Sequence, residues 1–353
     1  MVTGVGGGGL GEQILKALCI AETPYEIFGG DMSRYSAGLA SVDHPYILPP
    51  ADDREYVDTI LRVCEQNQVR ALFNGSEPEL KVISRERKRF EDAGIFLPIN
   101  PVEVIDICMD KSKTMAFLKN AGFTVPNFAT IKSINDLEQF GTLPAVIKPS
   151  QGSGGSSNIF IVQSRDELLT FGRYLLSIYP EFIVQAYVGT PEDEYTVGVL
   201  VDMTGVLINS IAVHRNILSR LGNRIKIPNR SGRLDLGPVL AISSGYSHGV
   251  VGPFPMVCQT CEKIAEKLGA RGVINIQCRF VDGEAYIFEI NPRFSGTTSL
   301  RAMVGCNEPD VLIRRHLLNE NIPKHFSYDT GVIMRGLQET LVKEKNFKVA
   351  KEL

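Results

Sequence analysis

Several protein classes are excluded by what this sequence lacks. It has no apolar run of about 18 residues, so it predicts no membrane-spanning helix and no membrane partner. Its N-terminus has no basic region, and Glu12 and Lys16 interrupt the apolar pattern, which argues against a signal peptide. The formal net charge of −3 at pH 7 offers no positive surplus for nucleic acid or an anionic membrane.

The cysteines form neither a disulfide framework nor a zinc motif. There are seven, an odd number, and most lie inside apolar runs, as Cys19 and Cys108 do. This favours a reducing, cytoplasmic compartment. Cys258 and Cys261 form a single C-x-x-C on the apolar side of a helix predicted over 257–268, which indicates core packing.

The composition is ordinary for a globular protein. Hydrophobic residues make up 44% and charged residues 22%, and the 353 residues predict two or three domains. A domain boundary is expected near residue 100, between Pro98 and Pro101. A polar turn over 74–79 follows a short predicted strand, and either it contacts a ligand or Ser76 caps a helix.

The first residues predict a strand, a glycine-rich turn and a helix, which is how a doubly wound α/β unit begins. Gly4, Gly6 and Gly9 match the spacing of the dinucleotide fingerprint, and Asp31 follows a strand predicted over 25–28. Two interpretations stay open: a nicotinamide site, or glycines that allow close packing of strand and helix.

Lys148 ends an apolar strand predicted over 144–149, immediately before a Gly/Ser-rich loop over 150–157. Such a loop can fold over phosphates with its N–H groups. A second strand is predicted over 158–162, so the unit is strand–loop–strand. It therefore differs from the strand–loop–helix of a P-loop, whose motif is absent from the sequence.

The strand predicted over 182–188 could offer backbone groups to an adenine, and Glu194 could accept from ribose hydroxyls. Further on, segment 214–233 carries several arginines and a lysine but no acidic residue. It is either an acceptor or phosphate clamp or a solvated loop, and Arg215, close to a strand end, is its best catalytic candidate.

The clearest chemistry lies in a β-hairpin predicted around a polar turn over 281–284. Alternation along its strands places Gln277, Glu289 and Asn291 on one face. Their oxygens suit Mg²⁺, which completes its shell with water and phosphates. Pro292 ends the strand, and Arg293 follows as a cation for an anionic transition state.

Together these elements resemble the ATP-grasp superfamily, and most of all the synthetase half of carbamoyl phosphate synthase large subunits and related single-unit ligases. The resemblance rests on these residues, in this order: Asp110-Lys111, Val146 to Pro149, Gly152 to Gly155, Gln185 with Glu194, Asn275 to Gln277, and Glu289 to Arg293. It covers nearly the whole chain.

The resemblance implies an α/β fold, α+β in its C-terminal part: an ATP-grasp fold with an N-terminal Rossmann-like preATP-grasp domain. That domain would span 1–100. The central and lid subdomains would span 101–188, and the C-terminal subdomain with the nucleotide and metal site would span 189–353.

The resemblance also implies site residues by motif position. Cofactor contacts to ATP would come from Lys111, Lys148, Gly152, Ser153, Gly154, Gly155, Gln185, Ala186, Tyr187, Val188 and Glu194. Gln277, Glu289 and Asn291 would hold two Mg²⁺ ions, with Mn²⁺ as the alternative. Arg293 would stabilise an acyl phosphate, with Lys148 and Arg215 as further catalytic residues.

The function implied is an ATP-dependent ligase that activates a small-molecule carboxylate as an acyl phosphate, releases ADP and joins the acyl group to an amine. One alternative is a carbamoyl phosphate synthase-like enzyme acting on bicarbonate or carbamate, although Gly296 stands where those enzymes tend to carry a second arginine. The other is an NAD-dependent oxidoreductase that uses the glycine loop. A homodimer is compatible with the resemblance.

Overall fold

A computed structural model of the chain describes residues 1–6, 8–152, 158–337, 339 and 348–350. Within those ranges, no helix is both long enough and apolar enough to cross a membrane. The helices and strands follow in three groups.

The N-terminal group is a parallel sheet flanked by helices. Its elements are β1 (Val2–Thr3), α1 (Leu10–Cys19), β2 (Phe28–Asp31), β3 (His44–Ile47), α2 (Tyr56–Gln66), α3 (Glu77–Arg85) and α4 (Arg87–Asp92). β1 pairs with β2 and β2 with β3, all in parallel. An apolar core, including Tyr46, Ile60 and Leu80, packs α2 and α3 onto this sheet.

Two strand predictions in this group need correction. The strand predicted over 25–28 begins only at Phe28, because Tyr25 instead donates a hydrogen bond to Asp310 Oδ1 at 2.6 Å, outside the sheet. The segment 71–73 forms only isolated parallel bridges, from Phe73 to Val2 and from Ala71 to Phe96.

The second group is a four-stranded antiparallel sheet. The helices over 134–139 and 165–178 share its apolar core. Its elements are α5 (Val102–Cys108), α6 (Lys111–Asn120), β4 (Phe128–Ile131), α7 (Ile134–Gln139), β5 (Ala145–Pro149), β6 (Phe160–Val162), α8 (Arg165–Ile178) and β7 (Phe182–Ala186). The strand order is β4-β7-β5-β6. β5 and β6 flank the Gly/Ser-rich loop, so the predicted strand–loop–strand order is confirmed.

The third group is built on a six-stranded antiparallel sheet of order β14-β13-β8-β9-β12-β15. The elements are β8 (Glu194–Val201), β9 (Leu207–Arg215), β10 (Asn223–Pro228), β11 (Val239–Ser243), β12 (Gly249–Gly252), α9 (Pro255–Leu268), β13 (Gly272–Val281), β14 (Glu284–Asn291), α10 (Thr298–Met303), α11 (Glu308–His316), β15 (Gly331–Ile333) and β16 (Lys348–Val349). β16 returns to pair in parallel with β3. The domain boundaries at 100 and 188 stay a prediction.

The β13–β14 hairpin has a tighter turn than its sequence predicted. Only Asp282 and Gly283 connect the strands, and both have positive φ, 51° and 84°. Asp-Gly is typical of a two-residue turn whose twist matches the strands. Gln277 faces Glu289 directly across the hairpin, as predicted.

The cysteines behave as core residues, with one exception. Cys258 and Cys261 lie on α9 and are buried against the six-stranded sheet, so the prediction of core packing is confirmed. Burial raises the pKa of the Cys258 thiol to about 12. Cys108 is buried, but Cys19 is exposed at the end of α1, although its sequence neighbours are apolar.

Candidate active site

A cavity of about 860 Å³ lies between the four-stranded and six-stranded sheets, and residues of α3, α5 and α6 complete its wall. It brings together predicted site residues from distant parts of the chain: Lys111, Lys148, Gly152, Gln185, Ala186, Tyr187, Val188, Glu194, Gln277, Glu289, Asn291 and Arg293. Its size is sufficient for a nucleotide. Ser153, Gly154 and Gly155 lie outside the described residues.

Lysines face this cavity from two directions. Lys148 is buried near the end of β5, and its ammonium donates to the Phe288 carbonyl at 3.3 Å. Burial lowers the pKa of Lys148 to about 8, with Glu289 opposing the shift. Lys111 is the first residue of α6, which Asp110 caps by accepting from the Lys113 N–H at 3.1 Å. Both cations suit an anionic ligand.

The segment predicted to meet adenine follows β7 along the cavity wall. The Ala186 and Tyr187 N–H groups already donate to the carbonyls of Asn127 and Pro144, at 2.7 and 2.9 Å. In the described part of the chain, the Val188 N–H and the buried Gln185 side-chain NH₂ have no partner. Unsatisfied donors facing a polar cavity are what a hydrogen-bonding ligand would complete.

Glu194 is held in an ion-pair network that the sequence did not indicate. Its carboxylate is almost fully buried and accepts from Arg215 Nη1 at 2.9 Å and from Arg279 Nη2 at 3.4 Å. Arg279 also donates to the carbonyls of Val188 and Ala241, and its guanidinium lies 4.3 Å from the centre of the Tyr187 ring. Arg279 therefore contacts both the segment predicted to bind adenine and the carboxylate predicted to bind ribose.

Arg215 is the last residue of β9. It is buried in this ion-pair network and does not belong to a solvated loop. Besides Glu194, it donates to Ser243 Oγ at 2.8 Å, to the Ser244 carbonyl at 2.7 Å and to Gln277 Oε1 at 3.4 Å. Burial lowers the pKa of its guanidinium. Arg215 lines a second cavity beside the first, and no other residue of segment 214–233, which the structure describes in full, lines either of these two.

The predicted metal ligands lie side by side on the β13–β14 hairpin. Asn291 Oδ1 accepts from Arg293 Nη2 at 2.9 Å, and Gln277 Oε1 accepts from Arg215. Each amide oxygen thus accepts from an arginine, and all three residues line the larger cavity. In the described part of the chain no cluster of three or more His, Cys, Asp or Glu could hold a metal. A cation would therefore rely on this mixed set and on ligand phosphates.

Arg293 is tied to the N-terminal group by an ion pair. Its Nη2 donates to Glu77 Oε1 at 2.6 Å, and its Nη1 donates to the Phe294 carbonyl at 3.1 Å. The Arg293 guanidinium lowers the pKa of the Glu77 carboxyl. Glu77 opens α3, whose cap is Ser76 with Glu79, so the predicted cap is present and the same turn also reaches the site.

A second cavity, of about 370 Å³, adjoins the first. It lies between the start of α1, the 75–78 turn and the 295–297 loop. Among its described lining residues, the ionisable ones are Glu77, Arg215 and Arg293. Asn275 Oδ1 accepts from Thr196 Oγ1 and Arg301 Nη2, at 3.0 and 2.6 Å. This leaves its NH₂ as a donor for the cavity. The chamber is small, and its described lining residues are mostly glycines and residues with polar side chains.

Gly296, the position at which a second arginine was considered, lines this chamber. A Cβ on Gly296 would stand 2.8 Å from the Gly245 carbonyl oxygen. A side chain at this position would therefore collide with the 244–247 loop, which packs directly on the glycine. Arg335 covers the same point and donates to the Gly296 carbonyl at 2.8 Å.

The N-terminal glycines pack against the protein itself. A Cβ on Gly11 would lie 2.2 Å from the Thr3 carbonyl, and one on Gly6 would lie 2.2 Å from Ser36 Oγ. Asp31 accepts from the Gly6 and Ser33 N–H groups, at 3.0 and 2.9 Å. These contacts support the packing interpretation of the glycine loop and give the nicotinamide hypothesis no support.

Sequence reasoning missed two site residues, Arg279 and Glu77. Arg279 follows Gln277 by two residues inside an apolar strand, so alternation places it on the same face, and that signal was available. Glu77 lies in the 74–79 turn, for which a ligand contact and a helix cap were both left open, and its partner Arg293 is 216 residues away along the chain. No local pattern encodes that pairing.

These features together define an α/β protein with a nucleotide-sized cavity, lysines from one side and a carboxylate–amide set from the other. The chain belongs to the ATP-grasp domain family, which matches residues 108–297. Residues 5–98 match the PylC-like N-terminal domain.

The chain is also similar to individual proteins. It is 27% identical over 273 residues to the carbamoyl phosphate synthase large chain of Thermoplasma volcanium, covering 73% of this chain and 24% of that protein. The N5-carboxyaminoimidazole ribonucleotide synthetase of Thermotoga maritima has a TM-score of 0.59 at 18% identity, covering 92% of this chain and 77% of the other. The L-amino acid ligase of Bacillus licheniformis has a TM-score of 0.61 at 17% identity, covering 88% of this chain and 72% of the other.

The chain spans about a quarter of the length of the curated relatives it matches. The solved structures show that the fold is shared.

Proposed function

We propose that the chain is an ATP-dependent carboxylate–amine ligase. ATP would occupy the larger cavity, and the carboxylate of a small acid would attack its γ-phosphate, which gives an acyl phosphate and releases ADP. An amine would then displace the phosphate. The observation that carries this proposal is the convergence of Lys111, Lys148 and the Gln277–Glu289–Asn291 set in one cavity. Positioning and charge neutralisation dominate such phosphoryl transfers.

The residues fit a nucleotide. The unpartnered Val188 N–H and Gln185 NH₂ offer donors to a base, and the buried Glu194 offers acceptors to a ribose. Lys111, Lys148 and Gly152 line the same cavity and would hold the phosphates, and Gly152 has the positive φ of 70° that glycine adopts readily. Ser153, Gly154 and Gly155 stay predicted members of the phosphate loop.

The residues also fit Mg²⁺, which would be held by the oxygens of Gln277, Glu289 and Asn291. When bound, it would neutralise charge on the phosphates. Arg293, beside these oxygens, supplies a fixed positive charge for the acyl phosphate. Arg215 supports this region by orienting Gln277 and Glu194 and by lining the smaller chamber.

The test measures ADP and phosphate release from Mg-ATP with pooled small carboxylic acids, amino acids and bicarbonate, with amines present. The expected result is that one pool raises ADP release and that Glu289→Gln removes it while the fold is kept. Release with bicarbonate alone would favour the carbamoyl phosphate synthase-like alternative. If ATP does not raise the melting temperature at all, the nucleotide site is wrongly assigned. The homodimer stays a prediction, which light scattering would check.

A further inference from the structure

Glu77 lies at the junction of the two cavities. The residues that line both are Glu77, Pro78, Ser244, Gly245, Gln277 and Arg293. If ATP fills the larger cavity and the body of the acid fills the smaller one, the reacting carboxyl carbon must lie at this junction. The nucleophile has to reach the same point, so a residue here can act on it.

Among the described carboxylates that line the cavities, Glu77 is the one that lines both of them. Glu194 is buried between two arginines, and Asp110 caps α6 and accepts from Gln151 Nε2 at 2.7 Å. Glu289 belongs to the metal set, and Asp106 is exposed on α5 and does not reach the smaller cavity. Glu77 therefore combines the junction position with a carboxylate whose ion-pair partner, Arg293, also lines both cavities.

The Glu77 side chain is 29% exposed, and one of its oxygens, Oε1, accepts from Arg293. Arg293 has a second anchor on Asn291 Oδ1, so it stays in place when Glu77 takes another partner. An acyl phosphate would attract the Arg293 guanidinium, and an incoming ammonium would compensate Glu77. The Glu77–Arg293 ion pair can thus be replaced by an Arg293–phosphate pair and a Glu77–ammonium pair, and neither side chain is left with an unpaired charge.

We propose that Glu77 is the residue that receives the amine nucleophile: its carboxylate binds the ammonium form and accepts the proton that the nitrogen must lose before attack. This rests on the proposed ligase function. The nitrogen lone pair then forms the C–N bond while the C–O bond to phosphate breaks. The phosphate leaves with the electron pair of that C–O bond and takes the second N–H proton from the new amide nitrogen.

The test compares two nucleophiles with the acid that releases ADP in the assay above. Ammonium is a cation at neutral pH and hydroxylamine is not, so only ammonium needs a carboxylate to bind it and take its proton. We expect Glu77→Gln, whose amide oxygen can still accept from Arg293, to lower kcat/KM for ammonium by about a hundredfold. The hydroxamate formed from hydroxylamine should be unchanged.

The pH profile separates this role from a structural one. The charged groups that act on Glu77 are Arg293 and Lys111. At saturating ATP, the ammonium reaction of Glu77→Gln should rise with pH in proportion to free ammonia, whereas that of the wild type should not. Glu77→Asp should restore part of the ammonium reaction. Glu138→Gln, an exposed change on α7, is the matched control and should alter neither reaction.

Equal loss with both nucleophiles would overturn the proposal, because it would show that Glu77 acts on acyl phosphate formation through Arg293. An ammonium reaction that survives in Glu77→Gln would overturn it as well. Failure of the ligase function itself looks different, since the wild type would then release no ADP with any acid.

Discussion

Lys148 should cost the folded protein stability while it serves the site. Its pKa falls from 10.5 to about 8 on folding, chiefly through burial. Each pKa unit corresponds to about 1.4 kcal/mol, so the charged ammonium destabilises the folded state by about 3 kcal/mol at neutral pH. Lys148→Met removes this charge and also a hydrogen bond to the Phe288 carbonyl, worth about 1 kcal/mol. The expected net gain in unfolding free energy is about 2 kcal/mol.

The sign of the pH dependence follows from the lowered pKa. Below about pH 8 both folded and unfolded states carry the proton, so the full destabilisation is present. It fades as the pH rises from 8 toward 10.5, because only the unfolded state still holds the proton there. The advantage of Lys148→Met should therefore shrink to near zero by about pH 9.5.

Urea unfolding of wild type and Lys148→Met at pH 7 and about pH 9.5 measures both effects. The variant should be more stable at pH 7 and should bind ATP weakly. Lys263→Met, an exposed change on α9, is the control and should change neither quantity. A variant that is less stable than the wild type at pH 7, with the same pH dependence, would refute the assignment of a strained buried cation.

Three further predictions concern the same cavities. Because the protonated Lys148 is the form that would hold phosphate, ATP affinity measured by calorimetry should fall about tenfold from pH 7 to pH 9. Arg279→Met should lower the unfolding free energy by about 3 kcal/mol and raise the KM for ATP, since it removes one buried partner of Glu194; an unchanged KM would argue against a nucleotide at Tyr187. Gly296→Ala should cost about 1–3 kcal/mol and weaken carboxylate binding, because its Cβ displaces the Gly245 backbone, and unchanged stability would contradict that contact.

Local chemistry made the hairpin and the cap predictable from sequence. Alternation placed Gln277 opposite Glu289, and the residues from Ser76 to Glu79 spelled a helix start. The two-residue turn was also encoded, in Asp282 and Gly283, but the prediction extended the loop by one residue on each side. Each of these features depends on residues close together along the chain or on paired strands.

Long-range pairing made the rest unpredictable. Arg301 and Glu308 form a fully buried ion pair beneath Asn275, yet both look like ordinary charged helix residues in the sequence. The Glu77–Arg293 pair joins segments from opposite ends of the chain. Such contacts depend on how the sheets pack together, and no local pattern in a single sequence predicts that packing.

Oxygen transfer tests the central claim most directly. The acid that raises ADP release is supplied with ¹⁸O in its carboxyl group, and the inorganic phosphate is analysed by mass spectrometry after the amine has reacted. The ligase account predicts one ¹⁸O in the phosphate for each amide formed, because a carboxylate oxygen attacks the γ-phosphate and leaves with it. Phosphate without label would contradict the account, since the phosphoryl group would then have gone to water and not to the acid.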